Sequence, residues 1–342
     1  GFMGTTHWLK YQKLKNVKVV AISDERDSIL EGKVKFGGNL GAVDGPQFKH
    51  SDYRWYKNFQ DLLNDPNIDM VDICVPTFMH AKVAVPAYSS GKAVLLEKPL
   101  AWKKADAVAI RRAAAKCKKP TMVAMCIRYW PEWHWLKSLV EKKTYGKLQS
   151  LKLRRVASNP AWSQDFYLND KLSGSCLLDL HVHDTDFVTY ICGRPESVSS
   201  SGTIGTSSPG GVDQVLTHYK YKHVQHVTAE GSFYPAPTFG FYMQYLALFE
   251  KATVTYDIAG FGEKKDVCVV HFPNGKNMVP KIPGAGNDGW FEEIKYFTDC
   301  VAKGKKATIS TVEDAVQSLE VIYAEEKSVR SGKPAKVEKL PK

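Results

Sequence analysis

Short apolar runs alternate with amphipathic segments along the first 126 residues. Runs such as "IDMVDICVP" and "KAVLLEKP" are typical of buried strands and stop at a proline, whereas "AKVAVPAYSSG" and "KKADAVAIRRAAAKCKK" have the apolar spacing of helices. Upstream, residues 5–15 predict a helix, "VKVVAISDERD" predicts a strand, and the glycine-rich residues 33–58 predict a long loop. Repeats of strand, helix and strand predict right-handed βαβ units and a parallel sheet.

The pattern changes after residue 145. Segments such as "KLQSLKLRRVAS", "HVTAEGSFY" and "KATVTYDIAG" alternate apolar and polar positions with the period of a half-buried strand. One helical segment covers residues 174–193, and two more, at 289–303 and 311–331, close the chain. We therefore expect an α/β Rossmann domain with a doubly wound parallel sheet at 1–126. An α+β domain with a large, mostly antiparallel open sheet follows at 127–342, and its C-terminal helices pack back.

Composition and charge narrow the class of protein. The 342 residues are 44% hydrophobic, enough for a large core, and no apolar run reaches the roughly 18 residues of a membrane span. Seven cysteines without C-x-x-C spacing indicate neither a disulfide framework nor a zinc cluster, and reduced thiols fit a cytoplasmic protein. The net charge of +11 is spread over scattered lysine clusters, which favours a basic surface for anionic small molecules over nucleic-acid binding.

The opening "GFMGTTH" looks like the last two-thirds of a G-x-G-x-x-G phosphate-binding turn. The residues expected to hold the cofactor phosphates are Gly1, Phe2, Met3 and Gly4. The first glycine and its strand would lie upstream, and because a Rossmann sheet needs that strand, we expect the native gene to encode roughly ten more residues there. Asp24 follows Gly4 by 20 residues, the interval that places an acid on the ribose hydroxyls of NAD, while nearby Arg26 leaves NADP open.

Polar and turn residues follow two of the predicted parallel strands, where ligands bind in open sheets. They are Pro76, Thr77 and His80 after one strand, and Glu97 and Lys98 at the end of the other. Pro99 restricts the residue before it to an extended backbone, which would fix Lys98 at the strand end and direct it into the ligand crevice. The alternative is a surface lysine beside a turn.

The segment "LSGSCLLDLHVHDTDFVTYICG" carries a possible acid/base pair. In a continuous helix, Asp179 and His183 are at i and i+4 and lie on the same face. A carboxylate beside an imidazole can transfer protons near neutral pH. Two alternatives stay open: a contact that only stabilises the helix, or a metal set with His181 and Asp184, which the different helical face of His181 disfavours.

Together these motifs resemble the glucose-fructose oxidoreductase, inositol dehydrogenase and rhizopine catabolism (Gfo/Idh/MocA) family of NAD(P)-dependent oxidoreductases. The similarity rests on "GFMGTTH", "EKP", "IRYWPEW", the D-x-x-x-H about 80 residues after "EKP", and "EDAVQSLEVIYAEEKSVRSGKP". It implies that Lys98, Asp179 and His183 match a catalytic trio and that Arg128 matches a position close to the cofactor. His181 stands where a small residue is usual, and we expect it to reshape the substrate pocket.

The resemblance also implies a reaction, the transfer of a hydride between nicotinamide and a carbinol carbon. We expect His183 to remove the hydroxyl proton, Lys98 to hydrogen-bond the reacting oxygen, and Asp179 to hold a neighbouring hydroxyl or the histidine. The further expected substrate contacts are Arg128, Trp162 and Asp165. A metal is not expected.

The substrate class expected first is a free or glycosidic hexose, oxidised at C3, with an inositol next. One alternative is a glycosidase that retains NAD and cleaves a glycoside through transient oxidation and elimination. Another is a non-catalytic regulator that senses sugar or nucleotide. The resemblance implies a homo-oligomer, a dimer or tetramer formed through the sheet of the second domain, with no membrane or nucleic-acid partner.

Overall fold

The computed structural model describes residues 1–27, 50–160, 163–259 and 267–342. The chain divides into two compact units, which are described separately. The first unit comprises Gly1–Cys126, Asp288–Glu313 and Lys342, and the second comprises Ile127–Asn287 and Asp314–Pro341. Most of the predicted loop at 33–58 lies outside the described residues, but its described end contains a strand, Arg54–Tyr56, which corrects that prediction.

Parallel strands form the sheets of the first unit, and this prediction is confirmed. Its helices and strands, numbered along the whole chain, are α1 Phe2–Tyr11, β1 Ala21–Ser23, β2 Arg54–Tyr56, α2 Phe59–Asn64, β3 Met70–Ile73, α3 His80–Ser89, β4 Ala93–Glu97, α4 Lys104–Lys116, β5 Thr121–Ala124 and α10 Gly289–Ala302. Strands β3, β4 and β5 pair in that order, and β1 pairs with β2. Every residue of β4 is buried, as expected of a parallel strand covered on both faces.

The opening helix differs from the prediction, because α1 begins at Phe2 and ends at Tyr11 instead of spanning residues 5–15. The Thr5 amide donates to the Gly1 carbonyl at 3.0 Å, so the glycine-rich turn itself forms the first helical turn. Helix α10 returns to α1: the Lys10 ammonium donates to Asp288, the residue that caps α10, at 2.8 Å. The first unit therefore includes a segment from near the end of the chain.

A nine-stranded sheet dominates the second unit. The elements are α5 Pro131–Lys142, β6 Leu148–Ser158, α6 Gln164–Tyr167, α7 Asp170–Ser173, α8 Ser175–Asp179, α9 Val182–Cys192, β7 Ser197–Ile204, β8 Val212–Lys220, β9 His226–Tyr234, β10 Phe241–Phe249, β11 Thr253–Ala259, β12 Val267–His271, β13 Asn277–Met278, most of α11 Val312–Ser331, and β14 Ala335–Lys336. The strand order is β13-β12-β11-β10-β6-β9-β8-β7-β14, and only the β6–β9 pair among the strands of this sheet is parallel. The prediction of a mostly antiparallel open sheet is confirmed.

Aromatic packing fills the space between the sheet and its helices. Trp133 of α5 is fully buried and makes edge-to-face contacts with Phe187, Tyr245 and Tyr256. Such pairs add about 0.5–1.5 kcal/mol each beyond the area they bury. Trp133 is thus a core residue of the second unit.

The predicted helix at 174–193 is interrupted. Helix α8 ends at Asp179 and α9 begins at Val182, with Leu180 and His181 between them. The His181 amide bonds back to the Cys176 carbonyl at 2.9 Å, five residues away, so the α-helical hydrogen-bond register is lost there. Apolar spacing predicts helical dihedral angles but does not encode this change of register.

The C-terminal helices are found where the sequence predicts them, within one residue at each end. Among the described residues, no helix is long and apolar enough to cross a membrane.

Candidate functional site

The start of α1 has the features of a phosphate-binding turn. Its first turn contains no acidic residue, so its backbone N–H groups face no competing carboxylate of that turn. Gly4 packs beside Cys74, just after β3: a Cβ on Gly4 would lie 3.5 Å from the Cβ of Cys74, at ordinary van der Waals contact. Gly1 is exposed, and Phe2 and Met3 are partly exposed.

Asp24 follows β1 and is held by Arg26. Asp24 Oδ1 accepts hydrogen bonds from the Arg26 amide at 3.0 Å and from Nε at 2.9 Å, and Oδ2 accepts from Nη2 at 2.8 Å. Burial would raise the pKa of Asp24, but these hydrogen bonds and the guanidinium charge lower it. Asp24 is therefore an ionised hydrogen-bond acceptor at the position expected to bind a ribose, and it is paired with the Arg26 guanidinium.

The loop after β3 presents few side chains for a ligand. Pro76 is exposed, but Thr77 is buried and His80 is almost fully buried. His80 Nε2 lies 3.0 Å from the Val75 carbonyl oxygen, Nδ1 lies 3.4 Å from that of Leu100, and burial lowers the pKa of the ring. As a neutral ring, His80 connects the loop after β3 to the loop after β4, and the direct cofactor contact expected from the sequence stays a prediction.

Lys98 is singled out by burial. Between positions 92 and 101 it is the one residue that is partly exposed, and all the others are buried. The Lys98 amide donates to Glu97 Oε2 at 2.8 Å, and Glu97 is itself buried beneath the strand end. The hydrogen bond to Glu97 therefore fixes the backbone at Lys98, the partly exposed residue of this segment.

Asp179 and His183 are singled out in the same way. From position 173 to 189, all residues are buried except these two. Asp179 is the last residue of α8, and His183 is in the first turn of α9. The segment thus exposes one carboxylate and one imidazole, although not on a continuous helical face. Both belong to the second unit, whereas Lys98 belongs to the first.

His181 is fully buried within the second unit. Its Nε2 lies 3.4 Å from both the Tyr219 hydroxyl and Glu325 Oε1. A Cβ on Gly231 of β9 would lie only 2.6 Å from His181 Nδ1, so the ring occupies space that this glycine leaves. The ring fills the interior instead of the substrate surface that we expected it to reshape.

Arg128 is also an interior residue, 2% exposed. Its Nε and Nη2 each donate to Asp186 at 2.8 Å, and Nη1 lies 3.4 Å from Asp314 Oδ2. The guanidinium also lies 4.5 Å from the centre of the Tyr190 ring. Burial would lower the pKa of Arg128, but these carboxylates raise it. Within the protein the guanidinium is committed to two carboxylates, and the direct contact with cofactor or substrate expected from the sequence stays a prediction.

The remaining expected contacts are less defined. Trp162 lies outside the described residues, and Asp165 is exposed on the short helix α6.

One polar cluster in the first unit, in which His7 is buried and its two partners are partly exposed, was not predicted. His7 of α1, Asp72 of β3 and Cys74 have side-chain atoms within 4.8 Å of one another, as a metal site would require. They already bond to each other: His7 Nδ1 and the Tyr11 hydroxyl each lie 2.8 Å from Asp72 Oδ2, and burial raises the pKa of the Cys74 thiol to about 12. These contacts favour a hydrogen-bonded cluster over a metal centre. The sequence signal was Asp72, a carboxylate inside an apolar strand.

Two family models match the chain. A model described as an oxidoreductase family with an NAD-binding Rossmann fold matches residues 1–125, and one described as the GFO/IDH/MocA C-terminal domain matches residues 133–254. Together they cover most of both units.

Named proteins are similar over nearly the whole chain. A myo-inositol 2-dehydrogenase of Thermotoga maritima is 26% identical and covers 99% of this chain and 97% of its own length. A scyllo-inositol 2-dehydrogenase (NAD(+)) of Bacillus subtilis is 25% identical over 83% of this chain and 82% of that protein. The solved structure of a levoglucosan dehydrogenase in complex with NADH and levoglucosan has a TM-score of 0.81 at 19% identity, covering 99% of this chain and 97% of that one, which shows a shared fold.

Proposed function

The chain belongs to the Gfo/Idh/MocA oxidoreductase family, and on that premise we propose that it is an NAD(P)-dependent dehydrogenase of a sugar, glycoside or cyclitol. The observation that carries the proposal is the pattern of burial. Two segments, at 92–101 and 173–189, are buried except for Lys98, Asp179 and His183. A lysine, a carboxylate and an imidazole are the groups that an alcohol dehydrogenation without a metal needs.

The residues of the first unit fit a dinucleotide. The N-terminus of α1 offers backbone N–H groups and the positive end of a helix dipole to a pyrophosphate. The ionised Asp24 is an acceptor for ribose hydroxyls, which favours NAD. When bound, the nicotinamide ring supplies the hydride acceptor or donor.

The protein residues handle the oxygen and its proton. In the oxidative direction, His183 takes the hydroxyl proton while the hydrogen on the same carbon leaves as a hydride, and a C=O bond forms. The Lys98 ammonium hydrogen-bonds the reacting oxygen and stabilises its negative charge, and Asp179 orients the histidine or accepts from a neighbouring hydroxyl. Asp165 and Trp162 are proposed substrate contacts. Arg128 holds the chain after β5 through its ion pair with Asp186.

The proposed substrate is a cyclic polyol, with a hexose or glycoside oxidised at C3 first and an inositol next. The family supports this class, as do relatives named as inositol dehydrogenases. A polyol with several hydroxyls would use both a general base and a carboxylate that accepts from the adjacent hydroxyl.

Substitution of the trio tests these roles. Lys98→Ala and His183→Asn should each lower kcat by about 10²–10⁴-fold, because each removes a group that acts on the reacting oxygen. The Kd for NAD, measured by fluorescence titration, should change by less than about threefold. Lys118→Ala and His223→Asn, at exposed positions of the same residue types, are the controls and should keep wild-type turnover. Wild-type turnover in both Lys98→Ala and His183→Asn would rule the assignment out.

A homo-oligomer formed through the outer face of the nine-stranded sheet is also proposed. Leu246 of β10, Lys152 of β6, Thr228 of β9 and His218 of β8 form one row across this face. Leu246 is 38% exposed, and Leu216 on the same face is 50% exposed. Exposed leucines on a flat sheet favour contact with a second copy. Leu216→Glu combined with Leu246→Glu should yield a smaller species in sedimentation velocity, and an unchanged species would argue against this face.

A cytoplasmic location is proposed as well. All seven cysteines are thiols in the structure, which fits a reducing compartment. Cell fractionation tests it, and recovery of the protein in an oxidising compartment would contradict it.

A further inference from the structure

His7 lies in a chain of contacts that ends at Lys98. From α1, His7 Nδ1 lies 2.8 Å from Asp72 Oδ2 on β3, and His7 Nε2 lies 3.1 Å from Glu97 Oε1 on β4. The other Glu97 oxygen, Oε2, accepts the Lys98 amide at 2.8 Å. All of these residues are in the first unit. The contacts therefore connect the helix of the phosphate turn to the backbone that carries the lysine.

The position of His7 between two carboxylates favours its charged form. His7 is 1% exposed, and its two ring nitrogens face one carboxylate each. Burial alone would lower the pKa of His7, but the charges of Asp72 and Cys74 and the hydrogen bond with Asp72 raise it well above its ordinary value. The same contacts lower the pKa of Asp72 against the effect of burial. An imidazolium between two carboxylates compensates one of their two negative charges.

We propose that His7 is a positioning residue for Lys98: as an imidazolium it holds Glu97, and Glu97 holds the backbone at Lys98. The His7–Glu97 contact is an ion pair that is not aligned as a hydrogen bond. Its strength therefore depends on the charge of His7. The inference rests on the proposed role of Lys98 in the reaction.

The chain offers a matched control inside the same cluster. The Tyr11 hydroxyl donates to Asp72 Oδ2 at 2.8 Å. Tyr11→Phe removes a buried hydrogen bond from the cluster but leaves the His7–Glu97–Lys98 contacts in place. A change that appears in His7→Gln and not in Tyr11→Phe reports the ion pair and not general packing.

The kinetic test compares His7→Gln, Glu97→Gln, the double variant and Tyr11→Phe. His7→Gln should lower kcat about tenfold while the Kd for NAD stays within about twofold, because a small displacement of a catalytic group slows the reaction but leaves cofactor binding almost unchanged. The double variant should be no slower than the slower single variant, since both changes break one chain of contacts. Tyr11→Phe should keep kcat within about twofold. Additive losses, or equal losses in His7→Gln and Tyr11→Phe, would overturn the proposal.

Two further readouts do not depend on these variants being active. Amide hydrogen exchange at residues 97–100, measured by mass spectrometry, should be faster in His7→Gln than in the wild type and unchanged in Tyr11→Phe. In the wild type, NMR titration of His7 and the alkaline limb of the kcat profile should give the same pKa. The groups that face His7 are Asp72 of β3 and Cys74 just after it, which raise its pKa, and Glu97 of β4, with Tyr11 on its own helix and Glu293 of α10 near Tyr11. Unchanged exchange, or two different pKa values, would contradict the inference.

The outcome for Lys98→Ala separates the two proposals. If Lys98→Ala is inactive while His7→Gln behaves like Tyr11→Phe, the role of His7 fails and the proposed function stands. If Lys98→Ala retains wild-type turnover, the proposed function fails, and the claim that His7 acts through Lys98 fails with it.

Discussion

Replacing Arg128 with methionine tests whether this arginine is a ligand contact or a structural residue. Arg128 and Asp186 are 2% and 1% exposed, and the pair is bidentate with both N–O distances at 2.8 Å. In Arg128→Met, Asp186 keeps the Ser318 hydroxyl at 2.8 Å but loses its cation. An uncompensated buried carboxylate costs about 3–5 kcal/mol. For a unit of this size that corresponds to a fall in Tm of roughly 6–20 °C.

Thermal unfolding followed by circular dichroism, without cofactor, is the assay. The matched control is Lys222→Met, which removes the ion pair between Lys222, 86% exposed, and Glu196. That change should cost at most about 1 kcal/mol, because solvent screens surface pairs. An unchanged Tm in Arg128→Met, together with a Kd for NAD raised at least about tenfold, would refute the structural role and restore the direct contact expected from the sequence.

Three further predictions concern the cofactor, pH and packing. Arg26→Ala should raise the preference for NAD over NADP by about tenfold in kcat/KM, because it removes the guanidinium that offsets the charge of Asp24, and equal ratios in wild type and variant would contradict this. The free energy of unfolding should fall as the pH rises above 6.5 towards the raised pKa of His7, because the native protein keeps the His7 proton to a higher pH than the unfolded protein does. This slope should be absent in His7→Gln. The free energy of unfolding should also fall as the pH drops below 6.5 towards the lowered pKa of His80, because the unfolded protein binds the His80 proton before the native protein does. Urea titrations at several pH values measure both slopes, and a flat profile would contradict both. Gly231→Ala should lower the free energy of unfolding, measured with urea, by about 1–3 kcal/mol, because its Cβ would meet the His181 ring at 2.6 Å. His181→Ala removes that ring and should reduce the cost in the double variant, whereas additive costs would argue against the contact.

Local patterns in the sequence were enough to predict the sheets and the C-terminal helices. Buried runs such as "AVLLE" are short, apolar and ended by turn residues, and the alternation in β8 and β10 matches the two faces of the observed sheet. The position of Lys98 at the end of β4 followed from the same patterns, whereas Asp179 and His183 lie on two helices instead of the one continuous helix that was predicted. Whether these three act in catalysis stays a prediction.

What the sequence did not predict depends on contacts between distant segments. Arg128 pairs with Asp186 and Asp314 from two other helices, and no spacing rule encodes such a pair. The interruption before α9 depends on hydrogen-bond register and on the space that Gly231 leaves for His181. The sequence singles out Glu97 but not His7, and the contact between them appears only in the folded chain, where α1 meets β4.

The most direct test of the central claim is the absorbance of reduced nicotinamide when the purified protein is mixed with NAD, and in parallel NADP, and a panel of hexoses, glycosides and inositols. A steady rise with one cyclic polyol class, lost in Lys98→Ala and His183→Asn, is the result we predict. Tight NAD binding without net NADH formation from any member of the panel would contradict a dehydrogenase. Product analysis of the glycosides would then separate a glycosidase that retains NAD from a sensor.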